Sequence, residues 1–286
     1  MTVQKLLQLI RTTLQTANQP EADRKAKLLL AFILGCQPSE LIKYWQQPLT
    51  ENNLQLSRQF CDRLIKGEPL HYILGETEFM GLAFKVTPAV LIPRPDSEIC
   101  AEKAISLLKN QPAPLFIADI GTGSGALALS LLFYLPQAQA WAVDISELAL
   151  NIARQNAQAL NLQERCTFLW GDLCAPLSAL NLKLDLIISN PPYVSAAEMA
   201  ELPPDVQQEP ALALAGGADG LDYYRRLAIE AKPLIKPNGW LVLEHGYNQQ
   251  AEICHILEAA GWRISECLAD YGNRPRVVVA QLFLPN

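Results

Sequence analysis

The sequence predicts an α/β fold: a mostly parallel, doubly wound sheet preceded by a small helical bundle and a β-hairpin. Three changes of texture along the chain carry that prediction. From Leu115 onward, short apolar runs alternate with stretches of helical periodicity, as successive strand-helix units do. Residues 1 to about 75 instead place apolar side chains at helical intervals, with no strand-like alternation. Between the two, Thr77 to Ile92 carries Phe79, Phe84, Val86 and Val90 interrupted by Gly81 and Pro88, which suits a hairpin joining two domains.

Taken in order, the front segment has Leu6, Leu7, Ile10 and Leu14 on one helical face, then Leu28, Leu29, Ala31, Phe32 and Ile33 on another. Pro20-Glu21, Pro38-Ser39-Glu40 and Thr50-Glu51 read as helix starts, each a hydroxyl cap or early proline followed by an acid. Four or five short helices follow from this. The expected strands are Leu115–Asp119, Ala140–Asp144, Thr167–Trp170, Leu184–Ser189, Trp240–Glu244 and Arg276–Phe283, with helices near 124–134, 146–160, 221–235 and 248–260. The implied organisation is a helical domain over 1–75, a hairpin linker over 76–92 and a larger α/β domain over 93–286.

Composition excludes several classes. With 286 residues, half of them hydrophobic, the chain can bury a sizeable core and exceeds one typical domain. The net charge of −6, from 23 basic against 29 acidic residues, argues against a protein that grips nucleic-acid backbone, because that affinity comes from clustered cations. The seven cysteines form no Cys-x-x-Cys pair and leave one over, so buried reduced thiols are expected and neither zinc nor a disulfide framework is. Met1 to Ile10 mixes polar and apolar residues at helical spacing, unlike a signal peptide. The longest apolar run, Leu28 to Cys36, falls well short of the roughly 20 residues that span a bilayer. A cytoplasmic protein with no membrane partner is expected.

Two motifs sit where α/β enzymes place their chemistry, at the ends of predicted strands. The first is Asp119-Ile120-Gly121-Thr122-Gly123-Ser124-Gly125-Ala126. Glycines at a strand-to-helix turn let backbone approach a ligand, and the helix N-terminus adds N–H donors and partial positive charge. The same residues fit a dinucleotide fingerprint, with Asp144 lying 19 residues past Gly125. Asp144 ends its strand, so its carboxylate is placed either to accept two ribose hydroxyls or to cap the helix at Ser146. After the third strand, Asp172 is a candidate acceptor for an adenine amino hydrogen, and the Leu173 amide a donor to the ring.

The second motif is Asn190-Pro191-Pro192-Tyr193, directly after Leu184-Asp185-Leu186-Ile187-Ile188-Ser189. Two prolines fix φ, remove two N–H donors and leave nearby carbonyls able to accept hydrogen bonds. A planar NH2 group is the fitting guest, with one hydrogen to the Asn190 side-chain oxygen, the other to the Pro191 carbonyl, and the Tyr193 ring against its π face. Such a guest is either an amide or an adenine.

With these motifs in order, the chain resembles the PrmC/HemK family, the S-adenosylmethionine-dependent N5-glutamine methyltransferases of peptide-chain release factors. The likeness runs nearly the whole length. It includes Glu68-Pro69-Leu70-His71-Tyr72-Ile73-Leu74-Gly75, then Leu91-Ile92-Pro93-Arg94-Pro95-Asp96-Ser97-Glu98, then Glu209-Pro210-Ala211-Leu212-Ala213-Leu214. Gly220-Leu221, Tyr224, Glu244-His245-Gly246 and Asp270-Tyr271-Gly272-Asn273-Arg274-Pro275-Arg276 complete it. Departures are Gln208 where the family has Tyr, Asp-Ser-Glu at 96–98 where Glu-Thr-Glu is commoner, and the Asn-Arg-Pro-Arg tail.

The resemblance implies a seven-stranded Rossmann-like methyltransferase sheet with one antiparallel strand near the C-terminus. It implies S-adenosyl-L-methionine as cofactor, released as S-adenosyl-L-homocysteine, and held by Gly121, Thr122, Gly123, Ser124, Gly125, Asp144, Asp172, Leu173 and Asn190. Asn190, Pro191 and Tyr193 become the catalytic candidates, and Pro192, Glu209 and Arg94 join them in contacting substrate. For Glu209 a solvated loop acid is the plain alternative, and for Arg94 a surface ion pair with Asp96 or Glu98. The expected partner is a class I release factor, docked by the helical domain, with a monomeric enzyme, no metal and no direct nucleic-acid contact. A ribosomal-protein glutamine methyltransferase, an adenine-N6 methyltransferase acting on flipped bases and an NAD-linked oxidoreductase or nucleotide-binding module stand as competing readings.

Overall fold

The computed structural model describes residues 1–282; Phe283, the expected end of the last strand, lies outside them, as do 284–286. The chain divides into two compact units, Met1–Glu76 with Pro203–Gln208, and Thr77–Leu202 with the chain from Glu209 on. The first is helical: α1 (Val3–Thr16), α2 (Ala22–Leu34), a 3₁₀ turn at Pro38–Tyr44, α3 (Glu51–Ile65) and α4 (Leu70–Leu74). Thr50 caps α3, accepting the Asn53 amide, as its place before Glu51 predicts. Leu6, Ile10, Leu14, Leu29, Leu30 and Leu64 close the core of this bundle. A β-carbon on Gly67 would lie 3.7 Å from Pro204, the inserted segment's point of packing.

The second unit starts with the hairpin β1 (Glu76–Phe79) and β2 (Leu82–Lys85), a sheet of its own. Phe79, Leu82 and Phe84 are buried in this unit's core, so the hairpin packs there instead of standing as a free linker. Next come α5 (Glu98–Leu108), β3 (Leu115–Ile120), α6 (Ala126–Tyr134), β4 (Ala138–Asp144), α7 (Glu147–Ala159), β5 (Cys166–Trp170) and α8 (Ala175–Ser178). They are followed by β6 (Leu184–Ser189), α9 (Ala196–Met199), α10 (Asp222–Glu230), β7 (Ile235–Glu244), α11 (Gln250–Ala259), β8 (Arg263–Ala269) and β9 (Pro275–Gln281). The sheet order is β5-β4-β3-β6-β7-β9-β8. All pairings are parallel except those of β9, which runs antiparallel to both β7 and β8.

The seven-stranded, mostly parallel sheet matches the expectation. The strand absent from the expected list is β8, and α5 is absent too. β8 is an edge strand whose side chains are mostly exposed, so Arg-Ile-Ser-Glu-Cys-Leu-Ala shows no strong apolar alternation. Strand order reverses between β3 and β6, which both leave their C-terminal ends toward one crevice. Ser189 ties the two, its hydroxyl donating to the Ile120 carbonyl at 2.7 Å. Among the described residues no helix is long and apolar enough to cross a membrane, and no cluster of His, Cys, Asp and Glu is placed to hold a metal ion.

Candidate active site

A cavity opens over the C-terminal ends of β3, β4, β5 and β6, with Gly121, Gly123, Asp144, Asp172, Leu173, Asn190, Pro191 and Pro192 among its lining. The glycine loop leaves β3 and turns into α6 with Gly123 at φ +57, left-handed backbone that favours glycine. A β-carbon there would meet nothing within 4 Å, so the position faces open space. Thr122 turns away from the cavity, its hydroxyl donating to Asp119 Oδ2 at 2.7 Å. Ser124 is buried and its carbonyl accepts Nδ2 of Asn156. Gly125 serves packing: a β-carbon would stand 3.0 Å from Leu129 and 3.3 Å from Ala153. Thus two of the five loop residues, Gly121 and Gly123, face the cavity and three build the loop.

Asp144 combines both readings of its position. Its Oδ2 accepts the Gly123 amide at 2.8 Å and its Oδ1 the Ser146 amide at 2.9 Å, so it braces the glycine loop against the start of α7 while still lining the cavity. The hydroxyl that caps α7 belongs to Ser146. Burial pushes the Asp144 carboxyl up, opposed by amides from Ser146, Gly123 and Ile145. Asp172 also lines the cavity, yet both its oxygens are engaged by Arg226, at 3.1 and 2.9 Å. Beside it Leu173 sits at φ +45, an uncommon conformation for a branched side chain.

The proline segment is held from behind. Gln249 Nε2 donates to the Tyr193 carbonyl at 2.9 Å, and Val194 exchanges backbone hydrogen bonds with Leu214 and Gly216. Tyr193 does not line the cavity; its ring packs against the second core cluster, and burial pushes its hydroxyl up to about 12. This departs from the expected stacking on a guest NH2. Arg94 and Glu209 also differ from expectation, since they pair with each other. Glu209 is a buried acid, not a solvated one, and its Oε2 also accepts the Ile92 amide at 3.2 Å. Asp96 goes instead to Arg276 at 3.4 Å, and Glu98 accepts the Met80 amide at 2.6 Å. The Arg94–Glu209 pair fastens together two cavity-lining loops, Ala89 to Leu91 and Pro210 to Ala213.

Two family models match the chain, the PrmC N-terminal domain over residues 5–75 and the methyltransferase small domain over residues 102–204. A release factor glutamine methyltransferase from Moorella thermoacetica is 44% identical over 90% of this chain and 90% of its own. The chain belongs to the release factor glutamine methyltransferases. A second member, from Bradyrhizobium diazoefficiens, is 41% identical over 95% of this chain and 92% of its own. The solved structure of a methyltransferase from Pyrococcus furiosus shares the fold at 17% identity and a TM-score of 0.53, covering 79% of this chain and 98% of that one.

Two buried acids in this release factor glutamine methyltransferase, Asp119 and Glu244, stand beside the site without a role predicted from sequence. Asp119, under the glycine loop, accepts Thr122 and the Ala128 amide through Oδ2 while Oδ1 has no partner among the described residues. Burial pushes it up to about 7. Glu244, at the end of β7, is 1% exposed and faces Ser97 and Asn190. An acid at a strand end was the available signal, because such a group is buried only when something beside it needs it.

Proposed function

We propose that this methyltransferase transfers a methyl group from S-adenosyl-L-methionine to the side-chain amide nitrogen (N5) of the glutamine in the Gly-Gly-Gln motif of class I peptide-chain release factors. The observation that carries the reading is the shared cavity: Asn190 and Pro191 at the end of β6, with Gly121, Gly123 and Asp144 at the ends of the adjacent β3 and β4. The residues suit the cofactor. An open, left-handed glycine loop admits backbone contact, and a buried carboxylate on the wall accepts ribose hydroxyls. When bound, the cofactor supplies an electrophilic methyl on a sulfonium.

The chain's own part is positioning and electrostatics. An amide nitrogen is a poor nucleophile because its lone pair is delocalised, so it must be held in line and its developing positive charge favoured. The Asn190 side-chain oxygen and the Pro191 carbonyl accept its two hydrogens, and both bonds strengthen as charge grows. Tyr193, neutral and turned inward, fixes the segment rather than acting as a base. A Gly-Gly-Gln loop brings little bulk beside its glutamine, which suits a recessed site, and the helical unit is the docking element.

Mass spectrometry of a release factor's Gly-Gly-Gln peptide, incubated with enzyme and S-adenosylmethionine, is expected to gain one methyl on glutamine, with none transferred to duplex DNA or ribosomal RNA. Transfer to adenine alone would replace this reading by the nucleic-acid one. Asp144→Ala is expected to raise the dissociation constant for S-adenosylhomocysteine by about 10- to 100-fold, the loss of a charged hydrogen-bond acceptor. Calorimetric titration checks it, and unchanged affinity would remove Asp144 from the cofactor site.

A further inference from the structure

Behind Asn190, three elements bring polar side chains together that no spacing in the sequence links. Nδ2 of Asn190 donates to Ser97 Oγ at 3.3 Å. The Ser97 hydroxyl, itself buried, and the Asn190 amide both face the Glu244 carboxyl. Glu244 Oε2 has no hydrogen-bond partner among the described residues. A serine hydroxyl has one proton to give, and a carboxylate can only accept. Beside a carboxylate, Ser97 is set to turn its proton toward Glu244 and keep its oxygen as an acceptor, and only the NH2 half of the Asn190 amide suits both that oxygen and the carboxylate.

We propose that Glu244 is a positioning residue for methyl transfer: facing both Ser97 and Asn190, its carboxylate holds the Asn190 amide with its NH2 inward and its oxygen toward the guest in the cavity. The proposal rests on Asn190 accepting a hydrogen of the substrate amide, as in the functional reading above. A Gln at 244 offers a donor as well as an acceptor, so the inward NH2 of Asn190 is no longer imposed and its oxygen can be spent inside the protein. The orientation of the acceptor is thus decided one residue behind the one that touches substrate.

The surroundings hold Glu244 at a point where its charge matters. Burial pushes it up to about 7, while Ser97, Arg276 and Asn190 favour the carboxylate and Asp96 opposes it. Facing it are Arg276 from β9, Asp96 from the 3₁₀ turn at Pro95–Ser97, Cys100 from α5, Tyr193 after β6 and Tyr224 from α10. Burial pushes Cys100, Tyr193 and Tyr224 upward, and Arg276 is held by Asp270 at 3.0 Å and Asp96 at 3.4 Å. None of the thiol and phenol groups takes over the role of Glu244 near neutrality. The other acid pushed up to about 7, Asp119, lies beneath the glycine loop, so its ionisation is read in cofactor affinity.

Full-length wild type and Glu244→Gln are compared with a release-factor substrate and S-adenosylmethionine across pH 5.5 to 9. Wild-type kcat is expected to rise with pH through about 7 as the carboxylate forms. Glu244→Gln is expected to lose that rise and to lie on the order of 10-fold or more below wild type at pH 8, with KM and S-adenosylhomocysteine affinity within about twofold. A wild type that methylates while Glu244→Gln keeps kcat within twofold at every pH overturns the positioning role alone. A wild type that methylates no glutamine overturns the functional reading and the positioning role with it. Should Glu244→Gln fail to bind S-adenosylhomocysteine, the wild-type profile decides: a kcat that rises through about pH 7 supports the positioning role, and a kcat flat from pH 5.5 to 9 overturns it.

Discussion

Asn190→Ala is expected to lower turnover by about 100-fold or more, equivalent to ~2.7 kcal/mol of transition-state stabilisation, while S-adenosylhomocysteine affinity stays within a few-fold. The reasoning is local. Asn190 is half-buried at the cavity wall and its Nδ2 is committed to Ser97, so truncation removes an acceptor that gains strength only as the substrate nitrogen becomes positive. Cofactor contacts assigned to Gly121, Gly123 and Asp144 come from other strands and survive the change. Single-turnover kinetics with a release factor, beside calorimetry with S-adenosylhomocysteine, separates the two quantities. Turnover within twofold of wild type would take Asn190 out of the mechanism.

Gly220→Ala should be strongly damaging for so small a substitution. Gly220 has φ +77, and a β-carbon there would stand 2.3 Å from the Tyr193 carbonyl oxygen and 2.6 Å from Gln249 Nε2. Those two atoms are the hydrogen bond that fixes the proline segment from behind. Backbone strain and the collision together are expected to cost about 2–4 kcal/mol, lowering the melting temperature by on the order of 5–10 °C and turnover with it. Gly75→Ala is the control, because Gly75 shares φ +77 but has nothing within 4 Å of the added carbon; it should cost only about 1 kcal/mol. Equal melting temperatures for the two variants would show that the collision is not what matters.

What the sequence makes legible is whatever depends on local pattern. Leu184–Ser189 is a continuous apolar run between polar residues, and the strand has those bounds. The Asp119 to Gly125 segment announces a strand, a tight turn and a helix start, all of which are present. Illegible features are those made by convergence. Ser97, Asn190, Glu244 and Arg276 come from four parts of the chain and meet only because β6, β7 and β9 are neighbours in the sheet. Arg94 and Glu209 are 115 residues apart, so nearby Asp96 and Glu98 look like the natural partners until the loops are in place. Tyr193 is a further case: next to two prolines it reads as a stacking surface, but apolar neighbours in the second core draw its ring inward.

The bond from Ser189 to the Ile120 carbonyl joins the strand that ends in the glycine loop to the strand that ends in Asn190. Neighbouring strands lie about 4.8 Å apart in a sheet, so the glycine loop and Asn190, proposed as the berths for methyl donor and methyl acceptor, are cut from one sheet. Their mutual alignment is settled when the chain folds and need not be rebuilt at each reaction cycle. The entropy of bringing two reactants into line is therefore largely removed before the substrate arrives.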